Sequence, residues 1–411
     1  MAQERMLIIG GGLAGATAAK TLRGDGYAGP VTLLGAEDRI PYIRPPLSKE
    51  FLLGKADKDS VAVVGEDWYQ ENDVELLLSS PAAGIDPADH TVRLASGRKI
   101  GYSKLLIATG ALPRRIPLPG ADLEGVMTFR TYEDSLRLRS LLEGGGLSVV
   151  MIGSGWIGME LAAAARTYGN QVTLLGLEDI PLSAAIGPEL GEFFQELHTA
   201  QGVSFRLPAS AAEIVGKDGR ATAVRTDSGE TLPADVVIVA VGVIPDMVLA
   251  ESAGLAIKNG ILVDAGLNAS APDVLAAGDV ANALHPFTGE HHRSEHWANA
   301  LNGGKVAAKS MLGEDAQLDV VPYFYTDQFS VSMEYSGFPS LTVGIPPLIR
   351  GSLADGSFIA FWVREGEVVA GMSVNQRRVQ KPIKALISGR VRVGVEQLSD
   401  PGVPLEELLP A

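Results

Sequence analysis

The feature that most constrains this chain is a unit that occurs twice. Residues 6–38 read as an apolar strand (Met6-Leu7-Ile8-Ile9), a glycine-rich turn, an Ala-rich helical stretch to Gly24, and a second strand, Val31-Thr32-Leu33-Leu34, closing on Gly35. Residues 149–179 repeat the order, with a helical stretch to Tyr168 and then Val172-Thr173-Leu174-Leu175-Gly176. Each copy is strand, turn, helix, strand, the βαβ signature of a parallel sheet covered by helices.

The turns are Gly10-x-Gly12-x-x-Gly15 and Gly153-x-Gly155-x-x-Gly158. A lone motif of this kind is compatible with nothing more than a tight strand-to-helix turn. Two copies, each following a strand and opening a helix, point to dinucleotide phosphates. The first glycine permits the turn, the second lets backbone approach a pyrophosphate, and the third lets helix pack on strand. The helix N-terminus then offers unpaired N–H groups to the anion. Two such sites call for two dinucleotides, most simply a held flavin and an exchangeable nicotinamide, between which hydride passes.

Composition removes the main rivals. The chain has 411 residues, enough for two or three domains, with 46% apolar and 20% charged residues, a globular balance that excludes disorder as the main state. A net charge of −15 repels nucleic acid. There is no cysteine, which excludes disulfides, thiolate metal sites and any dithiol relay. The longest apolar stretch, 236–244, is far short of the ~20 residues that span a bilayer. Arg5 and the apolar residues after it imitate a secretory signal, but the glycines of the turn suit a signal helix poorly, so the expected location is cytoplasmic, with no membrane span.

The remaining strands suggest a nested layout. Leu105-Leu106-Ile107 runs into Ala108-Thr109-Gly110, a strand at 235–241 exits at Gly242, and Val274-Leu275-Ala276-Ala277 closes on Gly278-Asp279. From about 321 the texture turns to aromatic-rich strands followed by a basic helical stretch, an α+β pattern. The expected fold is therefore α/β, with two Rossmann-like βαβ domains and a C-terminal α+β domain. Residues 1–112 with 243–320 form a discontinuous first domain, 113–242 the second, and 321–411 the third.

Several further motifs sit on this frame: Arg44-Pro45-Pro46-Leu47-Ser48-Lys49, Ala108-Thr109-Gly110, Phe129-Arg130-Thr131, Ala277-Gly278-Asp279, Glu295-x-Trp297 and Tyr323-Phe324-Tyr325-Thr326-Asp327-Gln328. Together they resemble the glutathione-reductase-like flavoproteins over essentially the whole chain. Within that group they resemble the ferredoxin reductases of bacterial oxygenases, the putidaredoxin reductase type.

The resemblance implies FAD in the first site and NADH in the second. Gly10, Gly12, Ala14 and Gly15 would hold the FAD pyrophosphate. The family commonly has an acid directly after the strand-end glycine; here Ala36 stands there and Glu37 follows, so Glu37 is assigned to the ribose. Arg44, Ala82, Thr109, Gly110, Arg130, Gly278 and Asp279 fall at FAD-contacting positions, and Trp297 where the family packs a residue on the isoalloxazine. Gly153, Gly155, Ile157, Gly158, Glu178 and Gly242 would line the nicotinamide nucleotide.

Lys49 and Glu160 are the expected catalytic pair. A cation near the flavin stabilises the negative charge that arrives with hydride, and Glu160 matches the family glutamate that pairs with it and faces the nicotinamide. Read without the family, Lys49 ends a proline-rich surface loop and Glu160 is a helix N-terminal acid favoured by the dipole. Where NADH-using relatives carry a ribose-binding glutamate this chain has Gly176, but Glu178 and Asp179 follow and no arginine does, which favours NADH over NADPH.

Without cysteine, the chemistry of disulfide reductases and of cysteine-dependent peroxidases is closed. The expected activity is hydride transfer from NADH to FAD, then single electrons to a [2Fe-2S] ferredoxin that feeds a P450 or Rieske-type oxygenase. The alternatives are an NADH-sensing protein resembling apoptosis-inducing factor, and a reductase of small acceptors such as quinones or monodehydroascorbate. The stretch 377–392 carries six positive charges and no acid, so Arg377, Arg378, Lys381 and Lys384 are candidates for docking an acidic ferredoxin. The protein is expected to be a monomer or weak homodimer. His285, His291, His292 and His296 share a segment with Pro286 and Gly289 that reads as an exposed loop, and no metal is assigned to them.

Overall fold

The computed structural model describes residues 4–410 and divides them into two compact units. The first comprises residues 4–44, 57–112 and 244–322; the second comprises 45–56, 113–243 and 323–410.

The first unit is built on a five-stranded sheet in the order Val274–Ala276, Lys104–Ile107, Met6–Ile9, Val31–Leu34, Val74–Leu77. All its pairings are parallel, with Met6 opposite both Val31 and Lys104. Met6–Ile9 and Val31–Leu34 are buried along their whole length, as strands covered on both faces must be, which is why they read as unbroken apolar runs. Helix Leu13–Gly24 packs against helix Trp297–Met311 through small residues: a Cβ on Gly304 would stand 2.5 Å from the Ala14 carbonyl oxygen. Two three-stranded sheets, Ala82–Asp86 with Thr91–Leu94 and Lys99–Gly101, and Ile261–Val263 with Ala281–His285 and Glu290–Arg293, complete the unit.

The histidine segment is not the exposed loop that its Pro and Gly suggested. It is a hairpin, Ala281–His285 against Glu290–Arg293, with His285 buried, its Nε2 3.1 Å from the Val320 carbonyl oxygen, and His292 Nε2 2.8 Å from Thr288 Oγ1. Pro286 and Gly289 mark only its turn.

The second unit repeats the plan with the order Val203–Arg206, Gln171–Leu175, Ser148–Ile152, Val236–Val239, Val126–Thr128, again parallel throughout. Helix Tyr132–Leu142 begins with a full capping box: Thr131 Oγ1 accepts from the Asp134 N–H, and the Asp134 carboxylate accepts from the Thr131 N–H. An antiparallel sheet follows in the order Tyr323–Gln328, Val331–Gly337, Glu367–Val374, Ser357–Arg364, Leu348–Ser352, covered by helix Gln380–Ser388. The two sheets share one core, in which Phe193 stacks edge-on against Phe358 at 5.2 Å and Trp156 against Phe324 at 5.3 Å. Aromatic pairs of this geometry add about 1 kcal/mol each to the burial of their surface.

Residues 45–56 belong to this second unit, although the chain on both sides of them belongs to the first. Leu52 is fully buried there, its carbonyl accepts from Tyr168 Oη at 2.9 Å, and the Leu47 carbonyl accepts from Ser135 Oγ at 2.6 Å.

Candidate functional site

In the first cradle, Gly10 has φ +125°, and a Cβ there would meet the Ala108 carbonyl oxygen at 2.0 Å; a Cβ on Gly15 would meet the Gly10 carbonyl oxygen at 2.2 Å. Only glycine fits either place. Gly12 differs, because nothing lies within 4 Å of where its Cβ would be and no side chain caps the helix that it starts. No side chain therefore competes for the first-turn N–H groups, the arrangement that can receive a pyrophosphate. Ala14 is buried and backs the turn, 3.1 Å from the Cβ position of Gly278.

At the end of Val31–Leu34, Ala36 is exposed and Glu37 is held from two sides. Tyr42 Oη donates to Glu37 Oε2 at 2.6 Å, and Arg44 Nη2 lies 3.4 Å from Oε1. Elsewhere in this unit Thr109 Oγ1 donates to the Asp246 carbonyl at 2.8 Å, and Gly110, at φ +75°, accepts from the Asp246 N–H at 3.0 Å. Gly278 at φ +78° opens a single 3-10 turn that carries the buried Asp279, whose carbonyl accepts from Arg293 Nη1 at 3.3 Å. Ala82 begins the strand Ala82–Asp86, and Trp297 begins helix Trp297–Met311.

The second cradle reproduces the first almost atom for atom. Gly153 has φ +119° with its Cβ position 2.3 Å from the Ala240 carbonyl oxygen, the Cβ position of Gly158 is 2.1 Å from the Gly153 carbonyl oxygen, and Gly155 is open and uncapped by any side chain. Ile157, at the helix start, is 44% exposed. Beyond the second strand, Leu177 is 79% exposed, while Glu178 Oε2 accepts from Ser183 Oγ at 2.9 Å. Gly242, at φ +91°, has open space beside it, and its carbonyl accepts from the Arg114 N–H at 2.9 Å. Arg130 also lies in this unit, where its N–H donates to Asp134 Oδ2 just ahead of the capped helix.

At Gly176, a Cβ would stand 2.3 Å from Ser154 Oγ and 2.7 Å from Leu207 Cδ2. An acid at this position would have to displace these two side chains.

Within the second unit, Lys49 Nζ lies 2.8 Å from Glu160 Oε1, both nearly buried at 9% and 4% exposure. The short 3-10 turn Pro45–Ser48 delivers the lysine, and the first turns of helix Trp156–Thr167 deliver the glutamate. Ser48 Oγ donates to Glu160 Oε2 at 2.5 Å, Thr326 Oγ1 donates to Glu160 Oε1 at 2.6 Å, and Lys49 Nζ also sits 5.3 Å from the Tyr325 ring centre. A buried carboxylate needs such an array, because removing either charge would strand the other in a low-dielectric interior. Burial, with the nearby carboxylates of Glu50 and Asp327, pushes the Tyr325 phenol up to about 12, so it stays protonated.

Ser48 and Thr326 carry no site role in the sequence reading, although both lie in quoted motifs. The usable signal for Thr326 was strand alternation: Thr326 and Gln328 share one face of Tyr323–Gln328, and both are buried. Among the described residues, no group of three or more His, Asp or Glu is arranged to hold a metal.

Two parallel sheets, each opening on an uncapped glycine cradle, define an oxidoreductase that binds two dinucleotides, of the glutathione-reductase type. The chain belongs to the pyridine nucleotide-disulphide oxidoreductase family, whose model matches residues 4–304, and a reductase C-terminal model matches 323–409. The family binds FAD and uses NAD(P)H, and the open cradles at Gly12 and Gly155 suit these groups.

The chain is 35% identical over 410 residues to a probable ferredoxin reductase of Castellaniella defragrans, covering 99% of each chain. It is 33% identical to putidaredoxin reductase of Pseudomonas putida, covering 100% of this chain and 98% of that one. Among solved structures, a covalent putidaredoxin reductase–putidaredoxin complex matches at TM-score 0.95 and 32% identity over 99% of this chain and 98% of its own. The ferredoxin reductase for the CYP199A2 system of Rhodopseudomonas palustris matches at 0.95 and 34%, over 99% and 100%.

Proposed function

We propose that this protein is an FAD-dependent reductase that takes hydride from NADH and delivers single electrons to a [2Fe-2S] ferredoxin serving a P450 or Rieske-type oxygenase. The observation that carries the reading is a chain of the disulphide-oxidoreductase family, like named ferredoxin reductases over its full length, that keeps a buried Lys49–Glu160 pair and has no cysteine. No dithiol can accept electrons in this polypeptide, so they must leave it for an external carrier.

The first cradle, with Glu37, Thr109, Gly278 and Asp279, holds FAD; the second holds NADH, with Gly242 and Ile157 at its rim. Bound FAD converts a two-electron hydride donor into two one-electron transfers. The protein's part is electrostatic and steric. The ammonium of Lys49 supplies positive charge where negative charge accumulates, in a site too dry to screen it. Glu160 fixes that ammonium and keeps the pair neutral overall in its buried setting. Glu178, with Asp179 beside it, disfavours a 2′-phosphate, which makes NADH the preferred donor.

The docking face is the segment leading into helix Gln380–Ser388. Arg377, Arg378 and Lys381 are exposed and have no acidic partner among the described residues, whereas Arg390 and Arg392 each reach Glu367 at 3.7 Å. Lys384 lies 4.0 Å over the Tyr323 ring, and burial lowers its pKa, so its role is partly structural.

Stopped-flow reduction by NADH, followed by reoxidation with a bacterial [2Fe-2S] ferredoxin, tests the whole reading. Turnover of tens per second with ferredoxin supports it. A long-lived reduced complex with no preferred acceptor, or turnover confined to quinones, overturns it. The double variant Arg378→Glu/Lys381→Glu is expected to lose about tenfold in kcat/KM for ferredoxin and to keep its ferricyanide rate.

A further inference from the structure

A buried histidine that the reaction does not call for lies at the far end of a polar chain that terminates on Glu160. Thr326 Oγ1 donates to Glu160 Oε1 at 2.6 Å, Gln328 Nε2 donates to Thr326 Oγ1 at 3.1 Å, and His198 Nε2 lies 2.8 Å from Gln328 Oε1. His198 comes from helix Pro188–Ala200, 130 residues away in sequence from Gln328, and is fully buried.

The direction of this chain is forced from one end. Glu160, ion-paired with Lys49, can only accept, so the single Thr326 proton must point at it. Thr326 must then accept from the Gln328 amide nitrogen, which turns the Gln328 carbonyl toward His198. His198 must therefore carry a proton on Nε2, and what remains is whether Nδ1 carries one too. Burial answers that it does not: His198 Nδ1 has no partner to accept a proton from it, and burial pushes the imidazole down to about 4, so the ring is the neutral Nε2–H form.

We propose that His198 is a positioning residue that locks the orientation of the Gln328 amide, so that Thr326 is committed to Glu160 and the Lys49–Glu160 pair is held in one geometry. This rests on the reading of Lys49 and Glu160 as the residues that serve hydride transfer. Without the Nε2 proton the amide can reverse and offer its oxygen to Thr326, which then turns away from Glu160.

His198→Phe removes the donor and keeps a ring to pack against Phe329, 4.9 Å from the imidazole, and Phe205 at 6.3 Å. It is expected to lower the limiting rate of flavin reduction by NADH about fivefold to tenfold with the Kd for NADH unchanged, while His198→Gln, which restores an N–H at the same reach, stays within about twofold of wild type. If His198→Phe does not fold, Gln328→Met severs the same chain and is read in the same way. Nitrogen-15 NMR of histidine-labelled wild-type protein near neutral pH reads the tautomer directly, whether or not NADH reduces the flavin. A neutral Nε2–H ring supports the proposal. A Nδ1–H ring or an imidazolium overturns it, as does a Phe variant that reduces at the wild-type rate or a Gln variant that falls as far as Phe. A wild-type protein that NADH does not reduce would instead overturn the reading of function and leave the tautomer result standing.

Discussion

The two glycine cradles share a backbone and differ at the end of the second strand. Gly10 and Gly153, Gly12 and Gly155, and Gly15 and Gly158 have matching surroundings, and both second strands end in the same five residues. Past that point they part. Over the first, Gly11 faces Gly35, and Glu37 is clamped by Tyr42 and Arg44. Over the second, the Ser154 hydroxyl fills the space above Gly176, Leu177 stands in solvent, and Glu178 accepts from the Ser183 hydroxyl and the Ala184 N–H with no cation beside it among the described residues. A strand end whose acid is held by a phenol and a guanidinium suits a ligand that stays; one that carries an exposed leucine suits a ligand that comes and goes. The phosphate grip is thus a backbone property, whereas retention and selectivity are decided by a few side chains about 20 residues on.

Matched lesions should break the symmetry most sharply. Gly10→Val is expected to give protein without flavin, because the new side chain collides with the Ala108 carbonyl in a backbone conformation that only glycine tolerates well. Gly153→Val, the same lesion in the second copy, should leave the protein yellow and reducible by dithionite but lower kcat/KM for NADH by at least about a thousandfold. Absorption spectra of the two purified variants check this, and a colourless Gly153→Val protein would reverse the assignment of the cradles.

Removing the carboxylate should come next in size. Glu160→Ala leaves the Lys49 ammonium buried beside two unpaired hydroxyls and is expected to cost about a hundredfold in the reduction rate, read by stopped flow. A smaller effect is expected at the second strand end: Gly176→Glu should raise KM for NADH about fivefold by striking Ser154, and adding Ser154→Gly should bring it back to within about twofold. A single variant that binds NADH more tightly would show that the strand end is roomier than its contacts indicate. Smallest of all, Tyr42→Phe removes one of the two holds on Glu37 and should weaken FAD retention about threefold, as judged by flavin released on dilution.

Much of this was legible in the sequence for a physical reason. A strand, a glycine turn and a helix are local, so residues 6–24 and 149–167 carry their whole fold in their spacing. The Lys49–Glu160 pair, 111 residues apart, could be named only through family resemblance, since no local rule joins a proline-rich loop to a distant helix. The chain from Glu160 through Thr326 and Gln328 to His198 could not be read at all: it needs three elements brought together by packing, and a lone histidine in a helix carries no sign of its partner. Nor does the basic stretch reveal that Arg390 and Arg392 are answered by an acid, since Glu367 lies outside it, on strand Glu367–Val374.

The membership of residues 45–56 in the second unit has a consequence for how such proteins can be recombined. The polypeptide passes from one unit to the other at 44/45, 56/57, 112/113, 243/244 and 322/323, so neither unit is a contiguous stretch of the gene. A chimera that imports residues 113–243 from a relative would set a foreign helix Trp156–Thr167 against the host's own lysine loop. Crossover libraries should therefore carry this twelve-residue loop with the unit that holds its partner, or inherit mismatched pairs at a nearly buried ionic contact.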